Sequence, residues 1–293
     1  MHRAFAAWLI AKSWRAPLAA AICGVLPLGL IFGGGIPVAT LLARDARTAL
    51  SAAIAGSAIA ASLTIASGKP IELTIVLVTM AYFAPLGLAV IVRQIGSLRW
   101  AFQAAIVGAS VVLAAIYLGM DNPAARWQEF LRVMMSQLLQ NELNLSQQVL
   151  EKSAANTNWG AFVAPCLLMV LGWLFLGCWW HTLLNAPGAF GKDFQQLRLG
   201  KVLGGLAVAI VLASFALDRF GLRIALIDAL LWIATIALAL IGLAAAHRLK
   251  ASGRVGRGWL TATYVLLMFP VTSPIVVMLL AGWGVADNWR RAA

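Results

Sequence analysis

The chain has 293 residues, of which 62% are hydrophobic and only 11% charged, and a net charge of +12. Soluble domains carry about a quarter charged residues, so a soluble globular fold is excluded. The alternating apolar pattern of an outer-membrane barrel is absent, and the 22 Lys and Arg residues scatter at the ends of apolar runs instead of forming the stripe that nucleic-acid binding needs. An all-α polytopic transmembrane helix bundle remains, because lipid leaves free backbone groups unsatisfied. Residues 1–293 are expected to form a single integral membrane domain, with the lipid bilayer as its first partner.

Residues 2–15, HRAFAAWLIAKSWR, mix basic and apolar positions and carry Trp8 and Trp14. An interfacial helix is expected over 1–16. No small-x-small cleavage site closes the apolar run that follows, so the start of the chain reads as an uncleaved signal anchor. Residues 17–44 are apolar throughout, yet Gly33, Gly34, Gly35 and Pro37 interrupt them. Glycines weaken a helix and proline removes a backbone donor, which predicts a broken or re-entrant helix pair.

Further spans are predicted over 48–68, over 71–92 with a kink at Pro85, and over 101–119. Residues 120–158 are the one long extramembrane segment. Asp121-Asn122-Pro123 signals a helix start, and Trp127, Leu131, Met134 and Leu138 recur at helical spacing with Glu129, Arg132 and Glu142 between them. An amphipathic helix on the membrane surface or over the bundle is expected, with a lid or a partner-docking helix as the sharper role. More spans are predicted over 160–184, 202–217, 224–246 and 259–283, the last interrupted by Pro270 and Pro274. The total is seven or eight spans.

The basic residues bear on sidedness. If 17–44 crosses once, Lys and Arg divide 11 against 11 between the two faces; if it folds back, they divide 14 against 8. Cytoplasmic loops collect Lys and Arg, so the fold-back is preferred, with the N-terminus and the 247–258 loop cytoplasmic.

Enzyme motifs are missing: there is no P-loop, no HExxH and no GxSxG. No enzyme activity, metal or cofactor is expected. Cys23, Cys166 and Cys178 lie in apolar runs without metal-ligand or CxxC spacing and read as small buried hydrophobes. Two acids enter apolar runs. Asp228 is expected either to pair with Arg223 or Arg219 or snorkel to the interface, or else to contact a substrate or proton, since intramembrane acids are costly. Glu72 carries the same choice, with Lys69 as its ion-pair partner. Trp173 and Trp232 sit mid-span and are either packing residues or walls of a pocket. Glu72, Trp173, Asp228 and Trp232 are therefore the candidate substrate-binding set.

The stretch from Asn185 to Leu199 is the most distinctive. Trp179-Trp180, then Asn185 with Pro187, Gly188, Phe190, Phe194 and Leu197-Arg198-Leu199, resembles the corner motif of the YybS-like bacterial inner-membrane proteins, a family of unknown function. Asp287, Trp289 and Arg290 resemble their closing element. Ala186 stands where the family places proline directly after the asparagine. The resemblance implies a multi-pass protein of the bacterial cytoplasmic membrane. That family is similar in hydropathy to the substrate-binding membrane components of energy-coupling-factor transporters, which implies a transport-related protein capturing a small molecule, its pocket near the 17–44 break. The alternative is a non-enzymatic membrane scaffold or regulatory protein, docking a membrane or cytoplasmic partner through the 186–201 or 247–258 loop.

Overall fold

The computed structural model describes residues 2–26, 29–139 and 157–290. The described residues are almost wholly helical. Helices α1 (His2–Ala11), α2 (Arg15–Val25), α3 (Leu30–Gly33) and α4 (Gly35–Ala43) precede α5 (Ala46–Ala66), α6 (Ile71–Val78) and α7 (Ala84–Ile95). Then come α8 (Leu98–Gly119), α9 (Pro123–Leu139), α10 (Trp159–Asn185), the short α11 (Ala189–Gln195), α12 (Gly200–Arg219), α13 (Ala225–Ala251), α14 (Arg257–Met268) and α15 (Ser273–Arg290). Six are long and apolar enough to cross a membrane: α5, the α6–α7 run, α8, α10, α12 and α13. Contacts group the residues into two compact units, one of Met1–Ala105 with Cys166–Arg198, the other of Ile106–Pro165 with Leu199–Ala293.

In the first unit the expected break is present, and the chain reverses there. Leu26 leaves the helix with extended backbone (ψ 135°), and the chain resumes in α3 and α4. As one straight helix, residues 15–43 would separate their ends by about 40 Å. Instead the Arg44 Nη1 donates to Ile10 O at 2.9 Å, returning the end of α4 to the start of α2. Small side chains permit this close packing. Ala16, Ala19 and Ala20 of α2 share a buried cluster with Ile36 and Ala39 of α4 and Ala52 of α5, and Gly24 packs on Ile59 and the Gly56 carbonyl. The kink expected at Pro85 takes the form of a wider π turn over Thr79–Phe83 just ahead of it, a usual way to absorb a lost helical hydrogen bond. At the far end of α7, Arg93 donates to Leu41 O and Arg44 O, closing the end of α4.

In the second unit α12 runs over 20 residues. At about 1.5 Å per residue that spans a ~30 Å hydrocarbon core, so the span predicted over 202–217 gains its missing length at both ends. Helices α13 and α15 run parallel and meet at glycines. Gly284 lies against Leu238 O and Gly242 N, and Gly242 against Leu280 O, where a Cβ has no room. Beyond this crossing Arg248 and Asp287 form an ion pair whose side chains are 13% and 10% exposed.

The single span expected over 259–283 is not formed. Phe269 turns extended (ψ 123°) and ends α14; α15 then runs back along it, so that the Trp259 and Trp283 rings meet at 5.6 Å. The prolines explain the reversal: Pro270 donates no backbone hydrogen bond and disfavours helix at Phe269 before it, and Pro274 sits in the first turn of α15, where proline is tolerated and the helix restarts. The amphipathic helix after Asn122 exists as α9, with Asn122 Oδ1 accepting from Ala125 N at 3.1 Å as its cap. Its expected continuation through Glu142 lies outside the described residues.

Candidate functional site

The second unit holds a cavity of about 520 Å³, within the ~300–1,000 Å³ usual for small-molecule sites. Its walls come from the ends of α8, α12 and α13, from α9, and from Thr157 and Asn158 ahead of α10. Asp228 sits in the first turn of α13, where the helix dipole favours a negative charge. One turn on, Trp232 occupies the same face, since residues four apart are neighbours on a helix, and it too lines the cavity. From α12, the Ser214 hydroxyl donates to Asp228 Oδ1 at 3.1 Å. Neither expected arginine pairs with Asp228. Arg223 is held instead by Asp218 at 3.6 Å, with both side chains more than 70% exposed.

Aromatic packing fixes the opposite wall. Trp127 and Phe130 of α9 meet Trp159 and Phe162 of α10 with ring centroids 5.1–5.4 Å apart. The Trp159 Nε1 donates to Pro123 O at 2.9 Å and the Trp127 Nε1 to Thr157 Oγ1 at 3.3 Å. Asn158 Oδ1 accepts from Gly160 N at 2.8 Å, while Gly160 itself lies against Ala229 O. The amphipathic helix, the start of α10 and the start of α13 are thereby pinned around one space. That space offers one half-buried carboxylate, hydroxyl and amide groups (Ser214, Tyr117, Asn158) and two indoles. Such a lining suits a small molecule with an apolar body and a hydrogen-bond donor or positive charge for the carboxylate.

The four candidate substrate-binding residues thus divide. Asp228 and Trp232 line one cavity. Trp173 is a packing residue of the first unit: 6% exposed, it lies against Gly34 and donates from Nε1 to Ile31 O at 3.1 Å. With Tyr82, which lies against Gly33 and Gly56, it fills the described flank of the corner where a pocket was expected. Glu72 stands exposed in the first turn of α6, and among the described residues no ion pair joins it to Lys69.

Sequence reasoning missed Ser214, Tyr117 and Asn158. Hydroxyls and amides at helix ends are too common to single out before the fold brings them together.

The corner residues have structural partners. Trp180 is buried, its ring 5.3 Å from that of Phe5, and Trp179 packs on His2 at 5.1 Å. Asn185 Nδ2 meets His181 Nε2 at 3.3 Å. Following Pro187, Gly188 takes a left-handed conformation, φ +89°, that starts α11 and that a side chain would strain. Phe190 and Phe194 close on Phe175, and the Arg198 carbonyl accepts from Gln103 Nε2 at 2.9 Å.

In the closing element the residue between Asp287 and Trp289 carries a precise role. Asn288 accepts from Leu199 N at 3.1 Å and donates to Gly200 O at 3.0 Å, stapling the start of α12. Trp289 is 47% exposed, and the Arg290 side chain lies outside the described residues.

Six membrane-competent helices define the class, a multi-pass helical membrane protein. Beyond the class, comparison finds no matching family model, curated protein or solved structure.

Proposed function

We propose that this chain is a substrate-capturing membrane protein of a transport system, with the Asp228 cavity as its binding site. The observation that carries the proposal is a half-buried carboxylate, with no arginine paired to it among the described residues, lining a half-open cavity of about 520 Å³. Acids at membrane depth are costly and mark ligand or ion sites. The resemblance of the corner motif to the YybS-like group, and through it to substrate-binding transporter components, agrees with this reading, and we take the membrane to be a bacterial cytoplasmic one.

The chain reversals between α2 and α4 and between α14 and α15 support an orientation. With both hairpins returning to the face they leave, the N-terminus, 44–47, 93–99, 192–201, 247–258 and the tail share one face and carry 16 Lys and Arg against 6 on the other. This is a stronger bias than the N-terminal reversal gives alone. By the positive-inside rule that face is cytoplasmic, and the Asp228 cavity, at the opposite ends of α12 and α13, opens outward. The competing scaffold reading needs no such cavity.

Purification in a neutral detergent followed by native mass spectrometry separates the two. Wild-type protein is expected to carry a non-lipid molecule, with about ten-fold less retained by Asp228→Asn, which loses a charge-assisted contact, and retention unchanged in Glu72→Gln. Wild-type protein without such a molecule, or equal retention by Asp228→Asn, supports the scaffold instead.

A further inference from the structure

A second, smaller cavity lies in the first unit, about 320 Å³ in volume, between the α7–α8 turn and α11. Arg99 and Arg198 both line it, 99 positions apart in sequence, together with Ser97, Gln196, Trp100 and Asp193. The Arg99 Nε is buried and makes no hydrogen bond. No ion pair joins Arg99 to Asp193 among the described residues, so two guanidiniums face one carboxylate and the space is net positive. Buried donors in folded proteins are nearly always satisfied, and an orphaned guanidinium N–H on a residue that lines a polar cavity points to an acceptor from outside the chain. Guanidiniums match phosphate geometry through their forked donors.

The location adds to this. Arg99 falls in the first turn of the 22-residue α8, which has no acidic residue there. A cation in that position opposes the helix dipole, whereas an anion between it and the helix end reverses the sign of the interaction. Trp100 is 52% exposed beside it, as is usual for residues at headgroup level.

We infer that Arg99 and Arg198 form a binding site for a phosphate group, either the headgroup of an anionic phospholipid or a soluble phosphate. This site is independent of the Asp228 cavity.

Full-length protein is exchanged into neutral detergent, and phosphatidylglycerol and inorganic phosphate are titrated separately, with retained lipid counted by native mass spectrometry and phosphate followed by thermal shift. Arg99→Gln and Arg198→Gln are each expected to bind the effective probe about ten-fold more weakly, the loss of one charge-assisted contact. Arg132→Gln, an exposed change on α9, leaves binding unaltered. One retained phosphatidylglycerol per chain, lost in both variants, assigns the lipid; a phosphate-induced shift lost in both variants without lipid retention assigns the soluble anion. Gln196→Lys, at an exposed position, adds a cation to the rim without touching the packing and is expected to tighten binding several-fold. Unchanged binding of both probes in Arg99→Gln and Arg198→Gln, or no effect of Gln196→Lys, overturns the site.

Discussion

At the scale of single residues, the pair Arg248–Asp287 shows how a polar residue in an apolar helix is accommodated. Both side chains are nearly buried, and each charge is tolerable only because the other is present. Breaking such a pair from one side typically costs about 3–5 kcal/mol, while replacing both partners by apolar residues of similar size is close to neutral. Asp287→Leu is therefore expected to lower thermal stability markedly, and Asp287→Leu with Arg248→Met to restore most of it. A detergent-solubilised melting series checks this, and additive losses in the double variant would show that the two charges act separately. Asp287 was visible in the sequence as part of the closing element, but its partner 39 residues upstream was not. Asn288 was hidden for a related reason. An asparagine inside a motif does not announce that its amide closes two backbone groups at the start of α12.

At the scale of elements, apolar length made α5, α8, α10 and α13 legible to within a few residues, because a membrane span is set by bilayer thickness and little else. Breaks were legible as to place but not as to outcome. Three glycine- or proline-interrupted stretches were noted; the one at Pro85 continues through a π turn, and the other two reverse the chain, yet only the N-terminal one was expected to do so. For that stretch the charge count favoured reversal; for 259–283 nothing in the local pattern tells a kinked span from a hairpin. The difference lies in tertiary packing. Helix α15 finds a long parallel partner in α13 because Gly242 and Gly284 allow backbone contact, a contact that lipid-facing side chains alone do not supply. Gly242→Leu or Gly284→Leu is expected to force the two helices apart, since the added atoms meet a backbone carbonyl and have no rotamer that avoids it. Gly282→Leu, one turn position away with open space around it, is the control. Overpacking of this kind costs about 1–3 kcal/mol or more, so a melting temperature unchanged in the Gly242 and Gly284 variants would show that α13 and α15 do not pack this way in the membrane.

At the scale of the whole molecule, the two reversals make one statement about topology. On the proposed orientation each reversal is a helical pair that enters and leaves at one face, and the six long apolar helices are the ones that cross. The charge distribution is an independent witness, since Lys and Arg placement reflects insertion rather than packing, and it sharpens with the second reversal as it did with the first. Single-cysteine labelling with a membrane-impermeant maleimide tests the whole arrangement, after replacement of Cys23, Cys166 and Cys178. Ser13→Cys, Ser252→Cys and Trp289→Cys are expected to react from one face and Lys69→Cys and Leu222→Cys from the other. The informative pair is Ser252 and Trp289. A single span between them would label them from opposite faces, whereas the α14–α15 hairpin labels them from the same one. Ser13 against Arg47→Cys poses the same question at the N-terminal reversal. Opposite labelling there would divide Lys and Arg more evenly between the faces, and the outward assignment of the Asp228 cavity would lose its support.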